Sequence, residues 1–286
     1  MPPGQPGEPT GWVPPEGQAR LRVSETLAAA ARGADHPQAV PGALCQACVR
    51  LLPVSGSSVS ISGGKGVRVT WCASDRVAAR LAELQYTVGD GPCQTALEQG
   101  APVVAADLAG GPDARRWPIF AHEAMALGVR AVFSLPLGVS GAAIGTLDLY
   151  SDSAGGLTGQ DMRTALWVRD AVTYALMSLQ AAGHDSTEED TEDEAASWVA
   201  ASEADHTEVY QAVGMVMVQL DLDPEQALDR LRARAYVEGR TVSQLAREVL
   251  ARRLRFRKEP DDGGDRRHYA GEDGRDGGDD GRDGER

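Results

Sequence analysis

The chemically most able residues of this chain are its arginines. Between Arg230 and Lys258 stand ten bases (Arg230, Arg232, Arg234, Arg240, Arg247, Arg252, Arg253, Arg255, Arg257 and Lys258) against two acids, Glu238 and Glu248, a local +8. Guanidinium forks at that density suit phosphate oxygens and the faces of unstacked bases. The chain as a whole carries −14, but that charge is segregated. Asp185 to Glu194 contains seven acids and no base, and Glu259 to Arg286 contains eleven acids and five arginines. The acidic balance therefore excludes no nucleic-acid partner. It describes a basic output segment between acidic spacers, the alternative being arginines that only solvate helix faces.

The thiols are the second candidates. Cys93 follows Gly91-Pro92 at the start of an expected short helix, where the helix dipole favours thiolate and lowers the pKa. It is a candidate redox sensor, or a small buried residue. Cys45-x-x-Cys48 sets two sulfurs on one helix face, but no second pair accompanies it, so no metal site is expected. Four cysteines (Cys45, Cys48, Cys72, Cys93) are too sparse for a disulfide scaffold and fit a reducing cytoplasm. Gly63-Gly64-Lys65-Gly66 lacks phosphate-loop spacing, no nucleophile elbow is present, and the five histidines are scattered. No catalytic constellation and no cofactor is expected. Met1 to Pro15 has no apolar core of a secretory signal, and nothing approaches the ~18 apolar residues of a membrane span.

The elements that must position these residues fall into two groups. Residues 1–17 are rich in Pro and Gly and are expected to be disordered. Helices are expected over about Arg20–Arg32 and Pro37–Leu52, then a hairpin in which Val59, Ile61, Val67, Val69 and Trp71 alternate. Asp75 caps a helix, the Gly89-Asp90-Gly91-Pro92 loop leads to a short helix from Cys93, and Pro102-Val103-Val104 reads as an edge strand. One helix over Trp117–Leu127, strands at Ala131–Pro136 and Ala143–Leu149, and a helix over Gly159–Leu179 complete the pattern. Paired strands, helices, then paired strands again imply an α+β domain around one mostly antiparallel sheet, at 18–182.

An acidic linker, 183–197, precedes an all-α three-helix module at 198–257, and residues 258–286 form a low-complexity Asp/Gly/Arg tail expected to be disordered. In the first helix Val209, Val213, Val216 and Leu220 form a seam able to pair with another helix, a route to a homodimer. Gly214 sits mid-helix at a cost of ~1 kcal/mol, which predicts close approach of a neighbouring helix. Asp223-Pro224 opens the second helix, with Ala227, Leu228, Leu231 and Ala235 inward, and Thr241-x-x-Gln244 caps the third.

Three blocks of this module resemble the ANTAR family of RNA-binding antiterminators: Tyr210-Gln211-Ala212-Val213-Gly214-Met215-Val216-Met217, then Glu225-x-Ala227-x-x-x-Leu231-Arg232-x-x-Ala235, then Val242-x-x-Leu245-Ala246-x-x-Val249. Val213 departs from the pattern, since many members are basic there. The resemblance implies binding of stem-loops in nascent transcripts, with Gln211, Ala212, Gly214, Arg230, Arg232, Arg234, Ala246 and Arg247 as candidate RNA-contacting residues and Tyr236 as a stacking ring or a packing residue.

The upstream domain resembles the GAF family through Leu84-Gln85-Tyr86, Gly89-Asp90-Gly91-Pro92-Cys93, Asp107-Leu108, Arg116-Trp117-Pro118, Ser134-Leu135-Pro136-Leu137 and Ile144-Gly145-Thr146-Leu147-Asp148-Leu149-Tyr150. That resemblance implies a pocket for an unidentified small-molecule effector, with Cys93, Asp107, Arg116 and Trp117 as candidate lining. The expected function is signal-responsive RNA binding in transcription antitermination, in the cytoplasm. The rivals are a DNA-binding regulator and a cysteine-dependent sulfoxide reductase of the GAF fold.

Overall fold

The computed structural model describes residues 15–36, 39–64, 67–139, 142–184 and 194–257. Expectations for the N-terminal segment before Pro15, for the central acids and for the tail after Arg257 lie outside the described residues.

Two helices, α1 (Pro15–Arg32) and α2 (Val40–Leu51), lead into the hairpin β1 (Gly56–Gly64) and β2 (Val67–Ala73). Then follow α3 (Arg76–Val88), α4 (Pro92–Gln99), β3 (Val103–Ala105), α5 (Gly111–Arg116), α6 (Pro118–Ala126), β4 (Ala131–Val139), β5 (Ala142–Ser151) and α7 (Gly159–His184). The strands form one antiparallel sheet in the order β2-β1-β5-β4-β3. The expected α+β fold is thus observed, with Val103 on an edge strand. The single helix expected over Trp117–Leu127 begins only at Pro118. A shorter α5 precedes it, and Trp117 breaks the two at φ −130°, ψ 68° because a residue before proline is driven out of the α region.

Strand alternation gives the sheet two unlike faces. Phe133, Leu135, Leu137, Leu147 and Leu149 point to one side and pack with α1, α2 and α7. The intervening residues Ser134, Thr146 and Asp148, with Ser58 and Ser60 beside them in register, point to the other and are also buried. Over that side lie α3, α4 and α6, whose own core joins Leu81, Ala96, Phe120 and Trp117.

The C-terminal helices are α8 (Glu194–Leu220), α9 (Pro224–Val237) and α10 (Val242–Leu250). Both expected caps are full capping boxes, Asp223 with Gln226 and Thr241 with Gln244. The Val209–Leu220 seam is not free for a second chain. Val209, Val213 and Val216 are buried against α9 and α10 of the same chain, so pairing of protomers through this seam is corrected by the structure. Gly214 is corrected as well: a Cβ there would meet nothing within 4 Å, so no neighbouring helix approaches it.

Candidate functional site

The arginines of the C-terminal module divide by environment. Arg230, Arg252, Arg255 and Arg257 are exposed. Others hold surface ion pairs: Arg234 with Glu238 (2.7 Å), Arg247 with Glu208 (3.1 Å), and Arg253 with Glu248 (2.8 Å). Hydrogen bonds from Arg234 and Arg253 hold the Glu238 and Glu248 carboxyls below their ordinary range. Such exposed pairs are worth little and exchange readily for a phosphate. Of the other candidates, Gln211 is exposed and Gly214 partly so, whereas Ala212 and Ala246 are fully buried in the three-helix core. They act by letting the helices approach, not by touching a ligand.

Arg232 stands apart. Its side chain is 14% exposed and leaves the module to meet α3 of the upstream domain. Its Nε donates to the Tyr86 carbonyl at 3.2 Å, and its guanidinium lies 5.4 Å from the Tyr86 ring. The Tyr86 ring in turn belongs to the core of the C-terminal module. Val213, the expected departure from the ANTAR pattern, is 5% exposed in that same core. A cation could not be buried there without a partner.

Directly behind Tyr86 lies a buried polar cluster that the sequence reading did not assign. Arg68 on β2 donates from Nη1 to Cys93 Sγ (2.5 Å) and from Nη2 to the Ala82 carbonyl (3.4 Å). The Asp148 carboxylate accepts hydrogen bonds from the Ser134 and Thr146 hydroxyls, and its charge offsets Arg68. Burial pushes Asp148 up, opposed by Arg68 and those two hydroxyls. Gln85, one residue before Tyr86, accepts from the Cys93 backbone N–H at 2.9 Å. Strand parity was the available signal: Thr146 and Asp148 alternate with Leu147 and Leu149, so a carboxylate had to enter the far side of a central strand.

The expected sensor residues take other places. Cys93 does stand in the first turn of α4, but it is fully buried and burial pushes its thiol up to about 12 despite Arg68. The expectation of a lowered pKa is overturned, because desolvation outweighs the helix dipole. Asp107 accepts from the Ala109 N–H and pairs with Arg130 at 3.1 Å, fixing its loop. Trp117 is a core residue whose Nε1 donates to Thr95, with exposed Arg116 over its ring at 4.6 Å. Neither of two cavities, one on α1 and α7 and one beside α3 and α6, is lined by any of these four. Cys45 and Cys72 form a disulfide across α2 and β2, although the sparse cysteines were expected to fit a reducing cytoplasm, and burial pushes the Cys48 thiol up to about 12. Among the described residues no cluster could hold a metal ion, and no helix is long and apolar enough to cross a membrane.

A five-stranded α+β domain followed by a basic three-helix module makes a two-domain chain. Residues 35–166 match the family model of the GAF domain and residues 200–250 that of the ANTAR domain, so the chain is a GAF domain followed by an ANTAR domain. GAF domains sense signals and ANTAR domains are RNA-binding antiterminators, an architecture of regulation and not of catalysis. Among solved structures, the chain is similar to the GAF domain of a phosphoenolpyruvate-protein phosphotransferase from Coxiella burnetii (14% identity, 58% of this chain and 98% of that one, TM-score 0.43). It is also similar to the GAF domain of the Acinetobacter phosphotransferase (6%, 58% and 97%, 0.43). A third is the type II free methionine-R-sulfoxide reductase of Thermoplasma acidophilum (17%, 50% and 92%, 0.37). No curated protein matches the chain.

Proposed function

We propose that this protein is a signal-responsive, cytoplasmic RNA-binding regulator that promotes antitermination by holding stem-loops of nascent transcripts. The observation that carries the reading is the basic surface of the ANTAR domain, where exposed Arg230 accompanies Arg234 and Arg247 in exchangeable surface pairs. Stem-loops suit it because splayed bases offer stacking faces and their phosphates sit close together. Gln211 and Gly214 supply a polar side chain and bare backbone on α8. Arg232 is the link to the sensor. While it is docked on Tyr86 it cannot reach RNA, so a signal that loosens α3 releases a cation to the output surface. The route from the sensor interior is short: Arg68, whose charge Asp148 offsets, donates to Cys93, whose N–H is held by Gln85, the neighbour of Tyr86. A homodimer, if formed on RNA with two loops, gains by linkage of two weak sites and uses a surface other than the buried valine seam.

The test is crosslinking in cells followed by sequencing of the bound nucleic acid, for wild type and for the triple variant Arg230→Ala, Arg234→Ala, Arg247→Ala. Stem-loops before terminators, recovered by wild type and lost in the variant, are expected. Equal recovery from both proteins rejects this surface, and enrichment of duplex DNA rejects the RNA reading. In vitro, each lost phosphate contact lowers the slope of log affinity against log salt by about one.

A further inference from the structure

Between the sensor and output domains lies a cavity of ≈ 420 Å³, within the roughly 300–1,000 Å³ range of small-molecule sites. Helix α3 and helix α6 form its sensor wall, and the turn from α9 to α10 forms its output wall. Two of its four charges are already matched. Arg240 pairs with Glu238 (3.4 Å) and Glu248 (3.6 Å), and Glu83 has a partner. Two charges are left over. Arg80 is exposed and has no ion-pair partner among the described residues. Glu123 has, among the described residues, only a long 3.5 Å hydrogen bond from the Tyr236 hydroxyl. Deeper on α3, Thr87 is 5% exposed and its hydroxyl is buried with no hydrogen-bond partner. The output wall adds unexplained apolar surface: Tyr236 is 42% and Val237 83% exposed.

We propose that this junction binds a small zwitterion of the amino-acid type. Its carboxylate pairs with Arg80, its ammonium with Glu123, and its side chain lies against Leu84, Leu127 and Tyr236. A simple anion would meet Glu123 and a simple cation Arg80, so only a ligand bearing both charges leaves neither residue opposed. Thr87, whose buried hydroxyl has no hydrogen-bond partner, offers a further polar contact. This site is separate from the Arg68–Asp148 cluster inside the sensor. Because its walls come from both domains, its occupant favours the arrangement in which Arg232 is docked on Tyr86. A ligand that binds only that arrangement, at ten times its Kd, weakens transcript binding by up to about 11-fold. That consequence, unlike the site itself, rests on the RNA-binding reading.

The test is isothermal titration of the full chain with each of the twenty standard L-amino acids as probes, in wild type, Arg80→Gln and Glu123→Gln. At least one apolar amino acid is expected to bind with unit stoichiometry. Its N-acetyl and C-amide forms should bind at least tenfold more weakly, as should the unmodified compound to either variant, with thermal melts unchanged. No saturable binding by any of the twenty, or binding that survives both substitutions, overturns the site. Binding that leaves transcript affinity unaltered overturns the coupling, whereas ligand binding by a chain that binds no RNA counts against the RNA reading alone.

Discussion

Gly89 offers a way to loosen the two domains without touching any residue placed on the RNA surface. It ends α3 at φ +73°, and a Cβ built on it would stand 3.2 Å from Cδ and 3.3 Å from Nη1 of Arg232. Gly89→Ala therefore does two things. The left-handed backbone costs about 1–2 kcal/mol with any L side chain, and this appears as lower stability of the sensor domain. The methyl also displaces Arg232 by a few tenths of an ångström, from a hydrogen bond to Tyr86 that at 3.2 Å is already at the long end of the normal range. A charge-assisted hydrogen bond is worth about 1.5–3 kcal/mol, so losing part of it removes about 1 kcal/mol from docking. If docking masks Arg232, apparent transcript affinity rises by up to about fivefold, since the competent fraction grows by the same factor. Fluorescence anisotropy with a stem-loop RNA reads that change, and hydrogen exchange at the α3 C-terminus reads the loosening. Faster exchange with unchanged or weaker RNA binding would refute masking of Arg232. Unchanged exchange would refute the docking energetics.

Other expectations follow from single environments. Asp148→Asn leaves Arg68 buried beside a thiol without its compensating charge and should cost about 3–5 kcal/mol in urea melts. Arg68→Met should cost less, because Asp148, already pushed up by burial, can take a proton and keep its hydroxyl partners. Gly214→Ala should stabilise the protein by up to about 1 kcal/mol, since nothing obstructs the methyl. A simultaneous loss of transcript affinity would mark that bare backbone as contact surface, and unaltered affinity would remove Gly214 from the interface. Native Cys93 should resist iodoacetamide at neutral pH. The folded state keeps a proton that the unfolded state releases, so its contribution to stability is lost only as pH rises from its ordinary 9.0 toward about 12. Rapid alkylation in the folded chain would contradict its burial. Denaturing alkylation without reductant should label two cysteines, Cys48 and Cys93, and labelling of all four would contradict the Cys45–Cys72 bond.

Much of the architecture was legible because it depends on local signals. Period-two alternation marked the strands, Asp75, Asp223 and Thr241 marked helix starts, and the inward residues Ala227, Leu228, Leu231 and Ala235 are all buried. The segregation of charge along the chain likewise located the basic module from the sequence alone. What the sequence could not settle is which surface a residue meets. Arg232 and Arg230 differ by two positions in the same helix and carry the same charge, yet one is clamped on Tyr86 and the other is exposed. Val209, Val213 and Val216 form a seam whether the partner helix comes from another chain or from this one, and only the fold of α9 and α10 back onto α8 decides it. Cys93 sits at a helix start as its sequence position suggests, but its pKa is set by solvent exclusion, a property of everything packed around it. Periodicity and capping act within a few residues of backbone and so are written in order along the chain. Burial, docking and desolvation are sums over neighbours brought from elsewhere in it, and they exist only once the tertiary structure has formed.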